Sequence, residues 1–228
     1  MNRVDIAWAF GKPIMGGPTA LLTRLRVYGK DRVPRAGGLV MAYNHFSWID
    51  IPAFGWAAPR PVYFLAKAEA HAVPLGGAYL RLFGSFGVRR GESDREAVRR
   101  MRDVVRAGHA LGIFAEGTRQ RSGELGPVQP GAAMAALQED APVVCAAIYG
   151  SHEWRLGNFS PVSIAYGEPL RFKDLPRNAK GYRLASAEIE SELRRLWEWL
   201  RDLHAAGRPR HAVPPRAPEH LRAAVTLP

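Results

Sequence analysis

The sequence predicts a single α/β domain in which a mixed β-sheet is flanked by helices and preceded by an N-terminal amphipathic segment. Three observations support this prediction. From Gly38 onwards, short runs of strand-forming apolar residues alternate with stretches of helical periodicity. The length of 228 residues suits one hydrophobic core. The composition, 47% hydrophobic and 23% charged, is that of a folded protein.

Three segments follow from composition. Residues 1–35 place aromatic and apolar side chains before a run of cations that ends at Arg35. Two interpretations stay open for this segment, namely contact with a membrane surface and ordinary packing of a short helix on the domain. Residues 36–206 hold the main domain. Residues 207–228 contain five prolines and little periodicity, so they predict an extended or disordered tail.

Within the main domain, apolar runs bounded by turn residues predict the strands, and side chains repeating every three to four residues predict the helices. The predicted strands are Gly38–Tyr43, Pro61–Ala66, Ala110–Phe114, Pro142–Ile148 and Val162–Tyr166. The predicted helices are Ile51–Ala57, about Leu75–Phe83, one that begins at the capping box Ser93-Asp94-Arg95-Glu96 and ends before Gly108, about Gly131–Gln138, and about Leu184–His204.

The charge distribution limits the classes of partner. The net charge of +11 predicts an anionic partner, which could be a nucleic acid, an anionic membrane or a phosphorylated substrate. The chain lacks the motifs of nucleic-acid-binding folds, so we expect no nucleic acid. No apolar run reaches the length of a membrane-spanning helix. The lone Cys145 lies in an apolar run, where a buried structural thiol is expected.

The heptapeptide from Asn44 to Asp50 carries the first chemical signal, because His45 precedes Asp50 by five residues directly after a predicted strand. Five residues of helix would point these two side chains apart, so a turn must join them if they interact. A carboxylate that binds one imidazole nitrogen fixes the tautomer and leaves the other nitrogen as a general base. Taken alone, the pair also fits a structural histidine beside a helix-capping aspartate.

The second signal is the turn Glu116-Gly117-Thr118-Arg119, which follows the predicted strand Ala110–Phe114. Glycine allows close approach to the backbone, and an arginine fork matches phosphate oxygens. Taken alone, this segment also fits a solvated turn. Because α/β sheets bind ligands at the carboxyl ends of their strands, we expect this turn and the His45 turn to share one site.

Together the two turns resemble the phospholipid and glycerophosphate acyltransferase family, which includes the 1-acylglycerol-3-phosphate acyltransferases. Asn44-His45 with Asp50 is similar to the family's first motif, Asn-His-x4-Asp, and Phe114 to Arg119 is similar to its third, Phe-Pro-Glu-Gly-Thr-Arg. The segment from Gly84 to Gly91 resembles the second motif, in which Arg90 takes the position of an arginine that contacts the acceptor phosphate. Ala141-Pro142-Val143-Val144 resembles the fourth motif, an apolar strand on the acyl side.

The resemblance implies a glycerol-3-phosphate acyltransferase-like fold and direct acyl transfer from a thioester, either acyl-CoA or acyl carrier protein, to a lysophospholipid hydroxyl. It implies His45 and Asp50 as the catalytic pair. Asn44, Arg90, Glu116, Gly117, Thr118 and Arg119 are implied to bind substrate. Ala115, Gln120 and Cys145 depart from the family's usual residues, and none of these changes removes a group needed for proton transfer.

No metal or other cofactor is expected, because a thiolate is a good leaving group and the histidines show no paired ligand spacing. We expect peripheral binding to anionic lipid on the cytoplasmic face of the cell membrane. Other acceptors stay open, namely glycerol 3-phosphate, a lyso-ornithine lipid and a glycolipid. From a different class, a basic non-catalytic protein that binds membranes or nucleic acid is the alternative.

Overall fold

The protein is described by a computed structural model in which residues 3–67, 71–72, 74, 76–88 and 94–222 are placed. The strands are β1 (Arg26–Tyr28), β2 (Leu39–Tyr43), β3 (Val62–Lys67), β4 (Phe86–Val88), β5 (Ala110–Phe114), β6 (Val143–Tyr149) and β7 (Ser163–Tyr166). The helices are α1 (Arg3–Leu22), α2 (Asp50–Ala57), α3 (Gly76–Leu82), α4 (Asp94–Arg106), α5 (Gly131–Glu139) and α6 (Ala179–Ala205). Short 3₁₀ turns lie at Lys30–Arg32 and Glu219–Leu221.

The seven strands form one sheet in the order β1-β7-β6-β2-β5-β3-β4. Only β6 and β7 pair antiparallel, and the other neighbours are parallel. The predicted α/β class and mixed sheet are therefore confirmed. The central strand β2 is buried along its whole length, as expected of a strand with neighbours on both sides and helices on both faces.

All five predicted strands are present within one residue of their predicted bounds, but two further strands were missed. Both β1 and β4 have three residues and lie at the edges of the sheet. Such short edge strands are fixed by their neighbour rather than by a local pattern, and so they leave little periodicity in the sequence. Ser93 of the predicted capping box lies outside the described residues.

The N-terminal segment does not end at residue 35 as a separate unit, because β1 joins the sheet beside β7. The helix α1 is longer than expected and contains both Pro13 and Pro18. Its inner side packs on the domain, where Trp8 is buried and its Nε1 donates a hydrogen bond to the Phe83 carbonyl at 3.2 Å. Tertiary packing thus holds a helix that the prolines disfavour locally.

The C-terminal segment 207–222 is extended and packs on the domain. The Arg32 guanidinium donates hydrogen bonds to the carbonyls of Pro214 and Pro215 at 2.6 and 3.0 Å, and Leu221 is buried. The prolines have no amide to pair in a ladder, so side-chain donors from the domain supply the contacts. This part of the predicted tail is therefore a strap on the core.

The topology fixes where a site can form. Because β2 and β5 are parallel and in register, with Tyr43 opposite Phe114, the residues that follow each strand leave the sheet at the same edge. The strand β6 is parallel to β2 on its other side, so the chain after Tyr149 emerges at this edge as well. This carboxyl edge of the sheet is where α/β folds place their ligands.

Candidate active site

His45 and Asp50 are in direct contact at the carboxyl end of β2. His45 Nδ1 lies 2.9 Å from Asp50 Oδ2, across a turn that ends where Asp50 begins α2. The same carboxylate oxygen accepts hydrogen bonds from the backbone amides of Phe46 and Ser47, at 2.6 and 2.8 Å. The predicted turn between the two residues is thus held by the aspartate itself. Nδ1 is occupied, which leaves Nε2 to exchange a proton with a substrate.

The turn after β5 forms hydrogen bonds with both the amide and the carbonyl of His45. The His45 amide donates a hydrogen bond to Glu116 Oε2 at 2.8 Å, and the Gln120 amide donates one to the His45 carbonyl at 2.7 Å. The second Glu116 oxygen accepts from the Gly126 amide at 2.9 Å. The two sequence motifs therefore form one structural unit, as the shared sheet edge predicts.

Glu116 is a buried carboxylate whose position suits bracing rather than direct contact with substrate. Burial raises its pKa to about 7, and the nearby charge of Asp50 acts in the same direction. The hydrogen bonds from Gly126 and His45 oppose this shift, because they favour the ionised form. Its charge state thus changes in the physiological range, where only the ionised form accepts with both oxygens.

Phe114, the last residue of β5, stacks on the His45 imidazole. The ring centroids lie 4.0 Å apart and the planes meet at 22°. Phe54 and Phe64 lie behind Phe114, with ring centroids 6.2 and 6.1 Å from it. This aromatic support restricts the imidazole to the rotamer that meets Asp50, and an aromatic face also attracts a charged imidazolium. The sequence analysis named Phe114 only as part of the third motif and did not predict its contact with His45.

The turn after β5 exposes three residues to solvent, namely Gly117, Thr118 and Arg119. Gly117 has a φ of 70°, in the left-handed region that favours glycine, so the tight turn requires this residue. The Arg119 guanidinium makes no ion pair within the described part of the chain, and it is therefore available to an anion. Its placement beside the His45 turn fits the predicted role in phosphate binding, which stays a prediction.

Two more of the predicted substrate-binding residues are Asn44 and Arg90. Asn44 is fully buried, and its side-chain amide both donates to and accepts from the Ile148 backbone, at 3.0 and 2.8 Å. This pairing continues the β2–β6 ladder past the end of the strand, so Asn44 positions His45 instead of touching substrate. Arg90 lies outside the described residues, and its role stays a prediction.

An apolar pocket that the sequence analysis missed opens beside α2, one residue beyond Asp50. It is lined by α1, α2, α3 and the strand β3, with Ile51, Gly55, Trp56 and Phe83 on its walls. Gly55 was the available signal, since a glycine within a helical pattern often marks a close approach or a space. The fourth motif was expected on the acyl side, but Val143 and Val144 are fully buried at the amino end of β6, opposite the site.

Among the described residues, no group of three or more His, Cys, Asp or Glu side chains could hold a metal ion. The expectation that no metal takes part stays a prediction. In the same part of the chain, no helix combines the length and apolar character that crossing a bilayer requires.

Taken together, the geometry is that of an α/β protein whose His–Asp pair lies at the carboxyl edge of the sheet, beside an apolar pocket and an exposed turn that carries Arg119. A family model described as Acyltransferase matches residues 24–149, which is more than half of the chain. The chain therefore belongs to the Acyltransferase family, and its predicted O-acyltransferase class is confirmed. The matched segment contains β2, β5 and the turns that follow these two strands.

Individual relatives agree with this family. The 1-acyl-sn-glycerol-3-phosphate acyltransferase of Bacillus subtilis is 29% identical over 164 residues, which cover 71% of this chain and 81% of that protein. The lyso-ornithine lipid O-acyltransferase of Pseudomonas aeruginosa is 41% identical over 100 residues, but these cover only 43% of this chain and 37% of that protein.

A solved structure shares the fold. The crystal structure of PlsC, the 1-acyl-sn-glycerophosphate acyltransferase of Thermotoga maritima, matches with a TM-score of 0.68 at 21% identity. The match covers 83% of this chain and 78% of that one. The predicted acyltransferase-like fold is thereby confirmed.

Proposed function

We propose that this enzyme transfers a fatty acyl group from a thioester to the free hydroxyl of 1-acylglycerol 3-phosphate, giving phosphatidic acid. One observation carries the proposal: the His45–Asp50 pair, in contact at 2.9 Å, is hydrogen-bonded through the His45 amide to Glu116 of the turn that also carries Arg119. A base for a hydroxyl and a cation for a phosphate thus stand on adjacent strand ends. The names of several relatives support the same acceptor.

In the proposed mechanism, Nε2 of His45 takes the proton of the acceptor hydroxyl, and the oxygen attacks the thioester carbonyl. The new C–O bond forms as the C–S bond breaks, and the departing thiolate takes the proton from the imidazolium. Asp50 holds the ring and stabilises its charged form. The donor is acyl-CoA or acyl carrier protein, and both supply the same thioester. His45→Ala should abolish turnover while the unfolding transition stays intact; near-normal turnover would contradict the role of His45.

No covalent acyl-enzyme is needed in this scheme. Cys145, the one cysteine of the chain, is fully buried, and burial raises the pKa of its thiol well above the ordinary value, which disfavours a thiolate nucleophile. Acid quenching during turnover with a radiolabelled thioester, followed by mass measurement of the protein, tests this step. We expect unmodified protein, and an acyl group attached to the chain would refute direct transfer.

The apolar pocket is the proposed place for an acyl chain. A Cβ added at Gly55 meets no atom within 4 Å, so a leucine there fills the pocket without a backbone clash. We expect Gly55→Leu to lower kcat/KM for long acyl chains more than for short ones. Gly17→Leu is the matched control, because Gly17 also has open space around its Cβ position but does not line the pocket. An unchanged chain-length profile in Gly55→Leu would contradict this placement.

Arg119 is the proposed ligand of the acceptor phosphate among the described residues. Loss of a hydrogen bond to a charged group costs about 1.5–3 kcal/mol, so Arg119→Ala should raise the acceptor KM roughly 10- to 150-fold. Arg121→Ala provides the control, since Arg121 is also exposed and makes no ion pair within the described chain. Equal effects in both variants would indicate a general charge effect instead of a phosphate contact.

Peripheral membrane contact belongs to the same proposal. Four large apolar side chains, Ile6, Phe10, Ile14 and Leu21, are exposed along one face of α1, at spacings of four and seven residues. An apolar stripe on a basic protein suits an anionic membrane surface, which we place at the cytoplasmic face of the cell membrane. Binding to anionic vesicles should weaken as salt increases, and equal binding to neutral vesicles at high salt would count against it.

A lyso-ornithine lipid is the second candidate acceptor, favoured by the higher identity to the Pseudomonas aeruginosa enzyme over 100 residues. A panel of lysophosphatidic acid, lyso-ornithine lipid, glycerol 3-phosphate and a glycolipid, assayed with labelled acyl-CoA, separates these acceptors. We expect lysophosphatidic acid to be the preferred substrate. Arg119→Ala should lower kcat/KM for lysophosphatidic acid. For an acceptor without a phosphate, the same substitution should change kcat/KM little.

A further inference from the structure

The loop between β6 and β7 presents two large apolar side chains that the fold does not use. Leu156 is 80% exposed and Phe159 is 48% exposed. Trp48, in the turn between His45 and Asp50, is 58% exposed and contacts Trp154 of the same loop with ring centroids 5.5 Å apart. We refer to Trp48, Leu156 and Phe159 as the loop face.

Internal hydrogen bonds connect the backbone of this loop. Asn158 accepts hydrogen bonds from the amides of Arg155 and Ser160 at 3.1 Å each, and its side-chain amide donates to the Glu153 carbonyl at 3.0 Å. Phe159 has a φ of 49°, a region that bulky residues rarely adopt. A strained and exposed aromatic residue within a hydrogen-bonded loop favours a function beyond folding.

The loop face lies beside the active site and next to the end of α1. The indole Nε1 of Trp154 donates a hydrogen bond to the Leu22 carbonyl at 3.2 Å, which ties the loop to the last turn of the helix that carries the apolar stripe. Because Trp48 belongs to the turn that joins His45 to Asp50, the loop face adjoins the catalytic pair. It is thus continuous with the site.

The charges around the loop face favour an anionic surface. Arg155 is exposed, and its guanidinium binds only the backbone carbonyls of His152 and Trp154 within the described chain, so no carboxylate neutralises it. Arg24, just beyond α1, is exposed as well, and Glu153 is the exposed acidic residue of the loop. Aromatic and aliphatic side chains flanked by arginine match the boundary between lipid headgroups and acyl chains.

We propose that the loop face inserts into one leaflet of an anionic lipid bilayer and thereby places the opening of the active site at the level of the lipid headgroups. This inference rests on the proposed function in one respect, since a lysophospholipid acceptor is then reached without leaving the membrane. The loop face adds a second contact to the α1 stripe, from a loop that is hydrogen-bonded to the end of the same helix. Two membrane contacts on different elements fix the orientation of the enzyme on the bilayer. With one helix alone, the enzyme could rotate about the axis of that helix.

Vesicle flotation tests the proposal with Leu156→Ser and Phe159→Asn, because asparagine tolerates the left-handed backbone at residue 159. Val213→Ser and Leu184→Ser are the controls, since these residues are 73% and 45% exposed on other parts of the surface. On equimolar phosphatidylcholine and phosphatidylglycerol vesicles, we expect each loop variant to lower the partition coefficient about tenfold and each control to leave it unchanged. Wild-type partitioning in both loop variants would overturn the proposal. A second result would also overturn the proposal: the wild type self-associates, and the loop variants abolish this self-association but still bind vesicles. The loop face would then join two copies of the chain.

A paired activity assay separates this proposal from the proposed function. With a short-chain, monomeric lysophosphatidic acid and no vesicles, both loop variants should match the wild type, whereas with acceptor embedded in vesicles they should be about tenfold slower at low lipid concentration. Equal loss in both assays would show that the loop supports the site itself and would overturn a membrane role. An inactive wild type would refute the proposed function but leave the flotation result to be judged separately.

Discussion

Replacing Asp50 by asparagine tests what the carboxylate does in the catalytic turn. Oδ2 accepts three hydrogen bonds, from His45 Nδ1 and from the amides of Phe46 and Ser47, whereas Oδ1 accepts none within the described chain. An asparagine can therefore put its oxygen at Oδ2 and keep all three hydrogen bonds, so the turn is kept and the negative charge is lost. Its amide takes the place of Oδ1, which is buried without a partner in the described chain, and one unsatisfied buried donor costs about 1–3 kcal/mol. Since hydrogen bonds to charged groups contribute about 1.5–3 kcal/mol, we expect kcat to fall roughly 10- to 150-fold and the free energy of unfolding to fall by about 1–3 kcal/mol.

Asp50→Ala separates the electrostatic role from the structural one. Alanine removes the acceptor of two backbone amides as well as the charge, and each unsatisfied buried donor costs about 1–3 kcal/mol. We expect this variant to lose turnover and also about 2–6 kcal/mol of unfolding free energy. Urea unfolding and steady-state kinetics with a short-chain acceptor measure both quantities. A wild-type kcat in Asp50→Asn would refute the need for the charge, and equal stability of the two variants would show that Asp50 does not hold the turn.

Three further outcomes are expected. Glu116 has a pKa of about 7 and accepts hydrogen bonds with both oxygens only when it is ionised. The ratio of the wild-type kcat to the kcat of Glu116→Gln should therefore increase as the pH rises through 7. A ratio that does not depend on pH would contradict the bracing role. Phe114→Leu should lower kcat about tenfold with little change in KM, whereas Phe114→Tyr keeps the ring and should retain most of the activity; equal losses would show that stacking is not the cause. Burial and the charges of Arg208 and Arg26 lower the pKa of His204 to about 4, so its neutral form stabilises the fold above pH 6.5. As the pH falls from 6.5 to 4, the unfolded state takes up a proton that the folded state does not, so the free energy of unfolding decreases, and urea unfolding of His204→Gln should show a smaller pH dependence.

The contact between His45 and Asp50 could be predicted from the sequence because it is local. His45 and Asp50 lie five residues apart, and the turn that joins them is organised by Asp50 itself through the amides of Phe46 and Ser47. The contact thus depends on short-range geometry that the spacing predicts. The same holds for Gly117, whose left-handed backbone lies within the motif that names it.

Other roles could not be predicted because they depend on partners that are distant in the chain. Asn44 was predicted to bind substrate, but Ile148 occupies its side chain from 104 residues away. Likewise Glu116 was predicted to bind substrate, but its two carboxylate oxygens accept hydrogen bonds from the amides of His45 and Gly126, which favours bracing. No local pattern shows which backbone amides will meet a carboxylate after the sheet assembles.

What the sequence determined by itself is the α/β class, the five longer strands and the His45–Asp50 pair, since periodicity and short-range spacing survive in any tertiary context. The tertiary structure decided how the two motifs meet, because a parallel register of β2 and β5 puts the residues after Tyr43 and Phe114 at one edge. It also decided the apolar pocket and the loop face, which arise from surfaces of α1, α2 and the β6–β7 loop. These features consist of space and exposure between elements, and such quantities exist only once the elements are packed.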